Sequence, residues 1–120
     1  EARAFPFLNE MEKALTAATL AVSRAGATGI AEMVVFRLPA VLIPYPHAGA
    51  HQAANAEWMK NVGGASVLSE RNLTPERLWA EIHRLLEDPA RLAQMRQRLA
   101  AQADGSSAHR LAQLVQEVVG

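Results

Sequence analysis

Gly26 and Glu32 are residues whose types and spacing fit a chemical task. Gly26 lies in a turn at residues 23–27 that follows a short apolar run and leads into a predicted helix, and Glu32 lies about one turn inside that helix. The N–H groups at a helix start attract phosphate, and a carboxylate one turn further on can hold vicinal hydroxyls. The turn has neither the G-x-G-x-x-G fingerprint nor the Gly-Lys-Ser/Thr of a P-loop. It therefore predicts half of a sugar-nucleotide site.

Both residues also have simpler explanations. Glu32 alone would be a solvated helical glutamate, and its position at the ligand-binding edge of a sheet is what favours a binding role. Gly26 either adopts the positive φ that some turns require or lets a phosphate approach the backbone. The sequence leaves this choice open.

A second polar group opens the helix predicted at residues 51–61. His51, Gln52 and Asn55 form either an ordinary surface helix start or a polar clamp on a sugar or ribose. His47 and His51 are four residues apart, but the loop between them and the lack of a third ligand at a convincing spacing disfavour a metal site. Ser23 has no nearby base. The residues therefore predict a binding site without a catalytic base.

Alternating strands and helices position these residues. Short apolar runs predict strands, and helical spacing or capping signals predict helices. The predicted strands lie at residues 1–7, 20–23, 40–43 and 65–68. The predicted helices lie at residues 9–18, 27–36 and 51–61, then from Pro75, from Pro89 and over residues 111–119. In the helix at residues 51–61, Ala54, Trp58 and Met59 are predicted to face the core. This pattern predicts an α/β fold, a small mainly parallel sheet followed by three C-terminal helices.

Composition limits the function classes. The 120 residues carry 12 basic and 12 acidic side chains, so no basic surplus favours nucleic acid as a partner. The absence of cysteine excludes disulfides, thiolate metal sites and cysteine nucleophiles. No apolar run approaches the roughly 18 residues that span a bilayer, and the pattern predicts no signal peptide. The small sheet and the start at Glu1 rather than Met lead us to expect a fragment.

Three segments, in order, resemble one protein family: PFLNEMEKALTAATLAVSRAGATGIAE, LPAVLIPYP and HQAANAEWMKNVGGA. They are similar to the C-terminal domain of the bacterial N-acetylglucosaminyltransferases of glycosyltransferase family 28, which move GlcNAc from UDP-GlcNAc to undecaprenyl-linked muramoyl-pentapeptide in peptidoglycan synthesis. The resemblance implies a GT-B fold, in which two Rossmann-like domains face each other across a cleft. Residues 1–120 would be the C-terminal part of the donor-binding domain, without the acceptor domain and the start of the donor domain.

The resemblance also implies roles for individual residues. Phe7 and Leu8 would read the uracil edge, Glu32 would hold the ribose hydroxyls, and Gln52 would bind the donor sugar with His51 and Asn55 beside it. The residues that would meet the donor at the turn and helix start are Arg24, Gly26, Ala27, Thr28 and Gly29.

Two residues depart from the family pattern. Gly29 replaces the usual Thr, which removes a hydroxyl contact. Arg37 stands where Gly commonly ends the helix, so a left-handed cap there would carry a steric cost.

The reaction that the resemblance implies is an inverting, metal-independent transfer that uses no cofactor. It places no catalytic residue within this chain, so we expect the isolated chain to be inactive. The implied partners are UDP-GlcNAc and, through the missing N-terminal domain, the lipid-linked acceptor, at the inner face of the plasma membrane in the cytoplasm.

Several alternatives remain. The chain is either the donor-binding half of another GT-B lipid or natural-product glycosyltransferase, or a non-catalytic nucleotide-binding subunit that partners a separate acceptor-domain chain. A UDP-sugar epimerase is disfavoured by the uracil-reading segment and the H-Q-x-x-N clamp. An exposed sheet edge also predicts self-association of the fragment.

Overall fold

The computed structural model describes residues 18–47 and 50–104. The elements are β1 (Ala21–Ser23), α1 (Ala27–Val35), β2 (Ala40–Leu42), α2 (Ala50–Asn61), β3 (Ala65–Val67), a 3-10 turn (Glu70–Asn72), α3 (Pro75–Leu86) and α4 (Pro89–Asp104). The strand predicted at residues 1–7, the helix predicted at 9–18 except for its last residue, and the helix predicted at 111–119 lie outside the described residues. Within them, the predicted strands and helices are confirmed to within one residue or two.

The three strands form a parallel sheet in the order β1-β2-β3. Ala21 lies opposite Ala40, and Ala40 lies opposite Ala65. Because the strands are parallel and in register, Ser23, Leu42 and Val67 end at one common edge. The predicted parallel α/β architecture is confirmed, and all three loops that follow the strands start from that edge.

Alternation along β2 sends apolar side chains to two separate cores, one on each face of the sheet. Val41 packs in a cluster with Leu85, Leu92 and Met95 of the last two helices. Ala40 and Leu42 belong to the larger cluster on the opposite face. That cluster consists of Ala25, Ile30, Ala31, Met33, Val34, Leu38, Ala40, Leu42, Ala56, Met59, Ala65 and Leu99. Helix α4 therefore contributes to both cores.

Helices α1 and α2 end in the same hydrogen-bonded motif. The N–H of Gly64 donates to the carbonyl of Met59 and that of Gly63 to Lys60, both at 3.0 Å, with Gly63 at φ +93°. At the end of α1 the equivalent bonds come from Leu38 and Arg37, and Arg37 has φ +54°. This is the Schellman motif, whose left-handed position glycine fills without strain. The left-handed cap at Arg37 is therefore present, with its steric cost.

The inner face of α2 differs from the prediction. Ala56 and Met59 are fully buried, whereas Trp58 is 36% exposed and Ala54 is also exposed. The stripe that faces inward runs through positions 52, 55, 56 and 59, so it includes two amides. The prediction is confirmed for Met59 and was wrong for Ala54 and Trp58, because the several alanines within this helix hide its apolar period.

No helix in the described ranges is long and apolar enough to cross a membrane.

Candidate functional site

The three loops that follow the strands meet at the carboxyl edge of the sheet. In open α/β sheets, ligands bind at this edge. The first loop contains Arg24, Ala25 and Gly26, the second contains Tyr45, and the third leads into the 3-10 turn that begins at Glu70. The predicted turn residues thus come together with side chains from two other loops.

Two side chains of α2 fasten the first two loops together. The Oε1 atom of Gln52 accepts hydrogen bonds from the backbone N–H groups of Tyr45, at 2.8 Å, and Ala25, at 3.3 Å. Asn55 Nδ2 donates to the carbonyl oxygen of Ala25 at 3.0 Å. The two amides that were predicted to clamp a sugar thus hold the backbone of the site. The inward stripe of α2 explains this role, which the sequence analysis missed.

Arg24 connects all three loops. Its Nη2 atom lies 2.6 Å from Glu70 Oε1, and its Nη1 donates to the carbonyl oxygen of Ile43 at 3.3 Å. Its guanidinium carbon also lies 5.4 Å from the centre of the Tyr45 ring. Such a contact between a cation and an aromatic face is attractive. Glu70 is a site residue that sequence analysis missed, since a pairing across 46 positions leaves no local signal.

Gly26 precedes the open start of α1. Its φ of −68° and ψ of 152° are extended values that any residue adopts, which rules out the left-handed turn as its explanation. A Cβ at Gly26 would meet no atom of the described residues within 4 Å, so packing among them does not require glycine there either. Helix α1 has no side-chain cap and no acidic residue in its first turn. Within the part of the chain that the structure describes, its first N–H groups and positive dipole end therefore have no side-chain partner, as an anion site needs.

Four more of the predicted site residues lie on α1. Ala27, Thr28 and Gly29 form the first turn of α1, and Glu32 lies further along it, partly buried. A Cβ at Gly29 would lie 3.9 Å from both Ser23 Oγ and Met33 Cε, which is an ordinary contact distance. Crowding at the Cβ position therefore does not explain the glycine.

Two of the four histidines lie around the second loop and the start of α2. His51 is exposed at the start of α2, and the exposed His47 packs edge-on against Tyr45, with ring centres 5.4 Å apart. Over residues 18–47 and 50–104, no three His, Asp or Glu side chains gather as a metal site. Phe7 and Leu8 lie outside the described residues.

The comparison with protein families decides the classification. Residues 1–114 match the glycosyltransferase family 28 C-terminal domain. The chain belongs to this family. The resemblance seen in the sequence is therefore confirmed, and the chain is a family 28 domain.

Curated relatives of this family 28 domain carry one name. It is 44% identical over 117 residues to the UDP-N-acetylglucosamine--N-acetylmuramyl-(pentapeptide) pyrophosphoryl-undecaprenol N-acetylglucosamine transferase of Nostoc punctiforme, a match that covers 97% of this chain and 33% of the relative. The protein of the same name from Clavibacter michiganensis is 39% identical over 113 residues, 94% of this chain and 31% of that relative. The chain spans about a third of the length of these relatives.

Solved structures confirm the expected architecture. A crystal structure of MurG from Acinetobacter baumannii aligns with a TM-score of 0.77 and 29% identity, over 96% of this chain and 35% of that one. The glycotransferase of kitacinnamycin aligns with a TM-score of 0.58 and 33% identity, over 87% of this chain and 26% of that one. The family 28 domain is thus a partial Rossmann-like unit of the GT-B kind.

Proposed function

We propose that residues 1–120 are the C-terminal part of the UDP-GlcNAc-binding domain of a transferase that converts lipid I to lipid II. The names of the relatives from Nostoc and Clavibacter support this substrate and reaction. Two thirds of each relative has no counterpart in this chain, which supports an acceptor-binding part outside these residues. The intact enzyme would act in the cytoplasm, peripherally at the inner face of the plasma membrane.

The open start of α1 carries the proposal. The diphosphate of the donor approaches Gly26 and accepts hydrogen bonds from the N–H groups of the first turn, where Ala27, Thr28 and Gly29 lie. Arg24 adds a positive charge at the same edge of the sheet. Together the dipole and the guanidinium stabilise the negative charge that develops on UDP as it leaves.

The remaining predicted residues bind the two sugars and the base. Glu32 holds the ribose hydroxyls, and Gln52, with His51 and Asn55 beside it, faces the GlcNAc unit. Phe7 and Leu8 read the uracil edge.

The reaction itself needs a group from elsewhere. The acceptor hydroxyl attacks the anomeric carbon of GlcNAc, the bond from that carbon to the UDP oxygen breaks, and a base outside this chain takes the hydroxyl proton. We therefore expect no turnover by the isolated chain with UDP-GlcNAc and lipid I. Observed turnover would contradict the assignment of residues 1–120 to the donor side alone.

Nucleotide titration tests the proposal. By calorimetry we expect UDP and UDP-GlcNAc to bind, and 2′-deoxy-UDP to bind more weakly. Glu32→Ala removes the carboxylate that accepts from the ribose, so UDP affinity falls about tenfold or more. The matched control Glu57→Ala, at an exposed position of α2, leaves it unchanged.

The deoxy analogue separates ribose binding from damage to the fold. Affinity for 2′-deoxy-UDP changes less than that for UDP when Glu32 is replaced, because part of the contact is already absent. Equal losses for both nucleotides would refute the ribose role, and a chain that binds no UDP would refute the function.

A second candidate is the donor half of a natural-product glycosyltransferase. The alignment with the glycotransferase of kitacinnamycin favours it. A preference for another UDP- or dTDP-sugar over UDP-GlcNAc in the same titration would select this alternative. A non-catalytic subunit of a two-chain enzyme would instead bind UDP-GlcNAc and gain activity when a separate acceptor-domain chain is added.

A further inference from the structure

Glu70 has no assigned role, yet it pairs with Arg24, a side chain that contacts the other two loops of the carboxyl edge. It belongs to the loop after β3, whereas Arg24 belongs to the loop after β1. Their ion pair, at 2.6 Å, crosses the loop after the central strand, where Arg24 also contacts the Ile43 carbonyl and the Tyr45 ring. We call these contacts the Arg24 strap.

The strap fixes a side chain that would otherwise move. The side chains of Arg24 and Glu70 are 48% and 35% exposed, so packing alone does not hold them. An arginine carries five N–H donors in a rigid fork. The Ile43 carbonyl and the Glu70 carboxylate each accept from one guanidinium nitrogen of Arg24. The guanidinium therefore keeps N–H groups that can donate to an anion while it is held.

We propose that Glu70 is a positioning residue for the donor diphosphate. It holds the Arg24 guanidinium across the carboxyl edge of the sheet, so that a UDP-sugar meets an arginine that is already ordered. Ordering a long side chain during binding lowers affinity. Glu70 acts only through Arg24. This inference rests on the proposed function.

Binding of UDP and uridine measures the effect of the strap. In calorimetry with the full chain, Glu70→Ala is expected to weaken UDP binding roughly 2- to 12-fold, the range for freeing one long side chain. Uridine, which lacks phosphates, is expected to bind with unchanged affinity. Glu70→Gln keeps an acceptor oxygen and falls between wild type and Glu70→Ala. Glu76→Ala, which removes an exposed carboxylate at the start of α3, is the matched control and leaves both affinities unchanged.

An Arg24→Met background separates positioning from other effects. Because Glu70 acts through Arg24, Glu70→Ala is expected to cause no further loss of UDP affinity in this background. An equal loss in both backgrounds would overturn the proposal. Tighter UDP binding by Glu70→Gln would also overturn it, since the carboxylate would then compete with the diphosphate for Arg24.

Amide exchange measured without ligand tests the Arg24 strap independently of the proposed function. Amide exchange at Ala25 and Tyr45, both bonded to Gln52, is expected to speed up in Glu70→Ala because the loops lose their connection. Unchanged exchange overturns the strap. A wild-type chain that binds no UDP overturns the proposed function, whereas UDP binding that is insensitive to Glu70→Ala overturns the role of Glu70 alone.

Discussion

Gly26→Ala separates ligand binding from folding, because the structure gives no folding reason for this glycine. Its backbone is extended, and a methyl group would meet no atom within 4 Å in residues 18–47 and 50–104. Replacing Gly by Ala at a compatible φ stabilises a protein by about 0.4–1 kcal/mol through the unfolded chain. At the N-cap, alanine is less favourable than glycine by about 0.5–1 kcal/mol. The two effects nearly cancel, so we expect the free energy of unfolding to stay within about 0.5 kcal/mol of wild type.

The same methyl group occupies the space where the diphosphate would lie. Losing one hydrogen bond between a backbone N–H and a charged phosphate costs about 1.5–3 kcal/mol, which is a 10- to 150-fold weaker affinity. The assay is calorimetric titration of UDP, with uridine as the ligand control and urea unfolding as the stability control. Unchanged UDP affinity in a stable Gly26→Ala chain would refute a phosphate site at the start of α1. A large loss of stability would refute our account of the glycine itself.

Two further predictions concern stability. Arg37→Gly relieves a left-handed backbone strain of about 1–2 kcal/mol and costs about 0.5–1 kcal/mol of chain entropy, so we expect it to be about 0.5–1 kcal/mol more stable than Arg37→Ala in urea unfolding. Arg37→Ala, which loses the same side chain but keeps the Cβ, is the reference variant, and equal stability of the two would contradict the strain. Hydrogen bonding from Arg84 lowers the pKa of Glu81, helped by Ser66 and opposed by burial. A carboxyl with a lowered folded-state pKa stabilises the fold above its unfolded pKa and loses that contribution as pH falls through the folded value. The pH dependence of stability on the acid side is therefore expected to flatten in Glu81→Gln, and an unaltered profile would contradict this.

Local signals predicted the elements well because they act over a few residues. The start of α3 follows Thr74-Pro75, and the Thr74 hydroxyl does accept a hydrogen bond from the Arg77 N–H at 3.1 Å. Apolar runs placed the three strands in the same way. These signals need no knowledge of the rest of the chain.

The interior of the candidate site was harder to predict because its contacts join distant positions. Nothing near Arg24 in sequence indicates Glu70, and the inward orientation of Gln52 depends on which face of α2 the sheet covers. Residue types and spacing indicated Gly26, Glu32 and the polar group at the start of α2, and the resemblance to a known family supplied their expected roles. Only the structure showed that Gln52 and Asn55 hold the loop backbone.

Helix α4 has a consequence for the order of folding during synthesis. Leu92 and Met95 complete the core on one face of the sheet, while Leu99, against which a side chain at Gly64 would collide, completes the core on the other. Chains fold as they leave the ribosome, with early residues available first. The core that contains Leu92 and Met95 cannot be completed before residue 95 has been made, and the core that contains Leu99 cannot be completed before residue 99. Each face of the sheet therefore stays incompletely covered until most of α4 has been synthesised. The interval between the synthesis of β3 and that of α4 is thus when this domain most needs protection from aggregation.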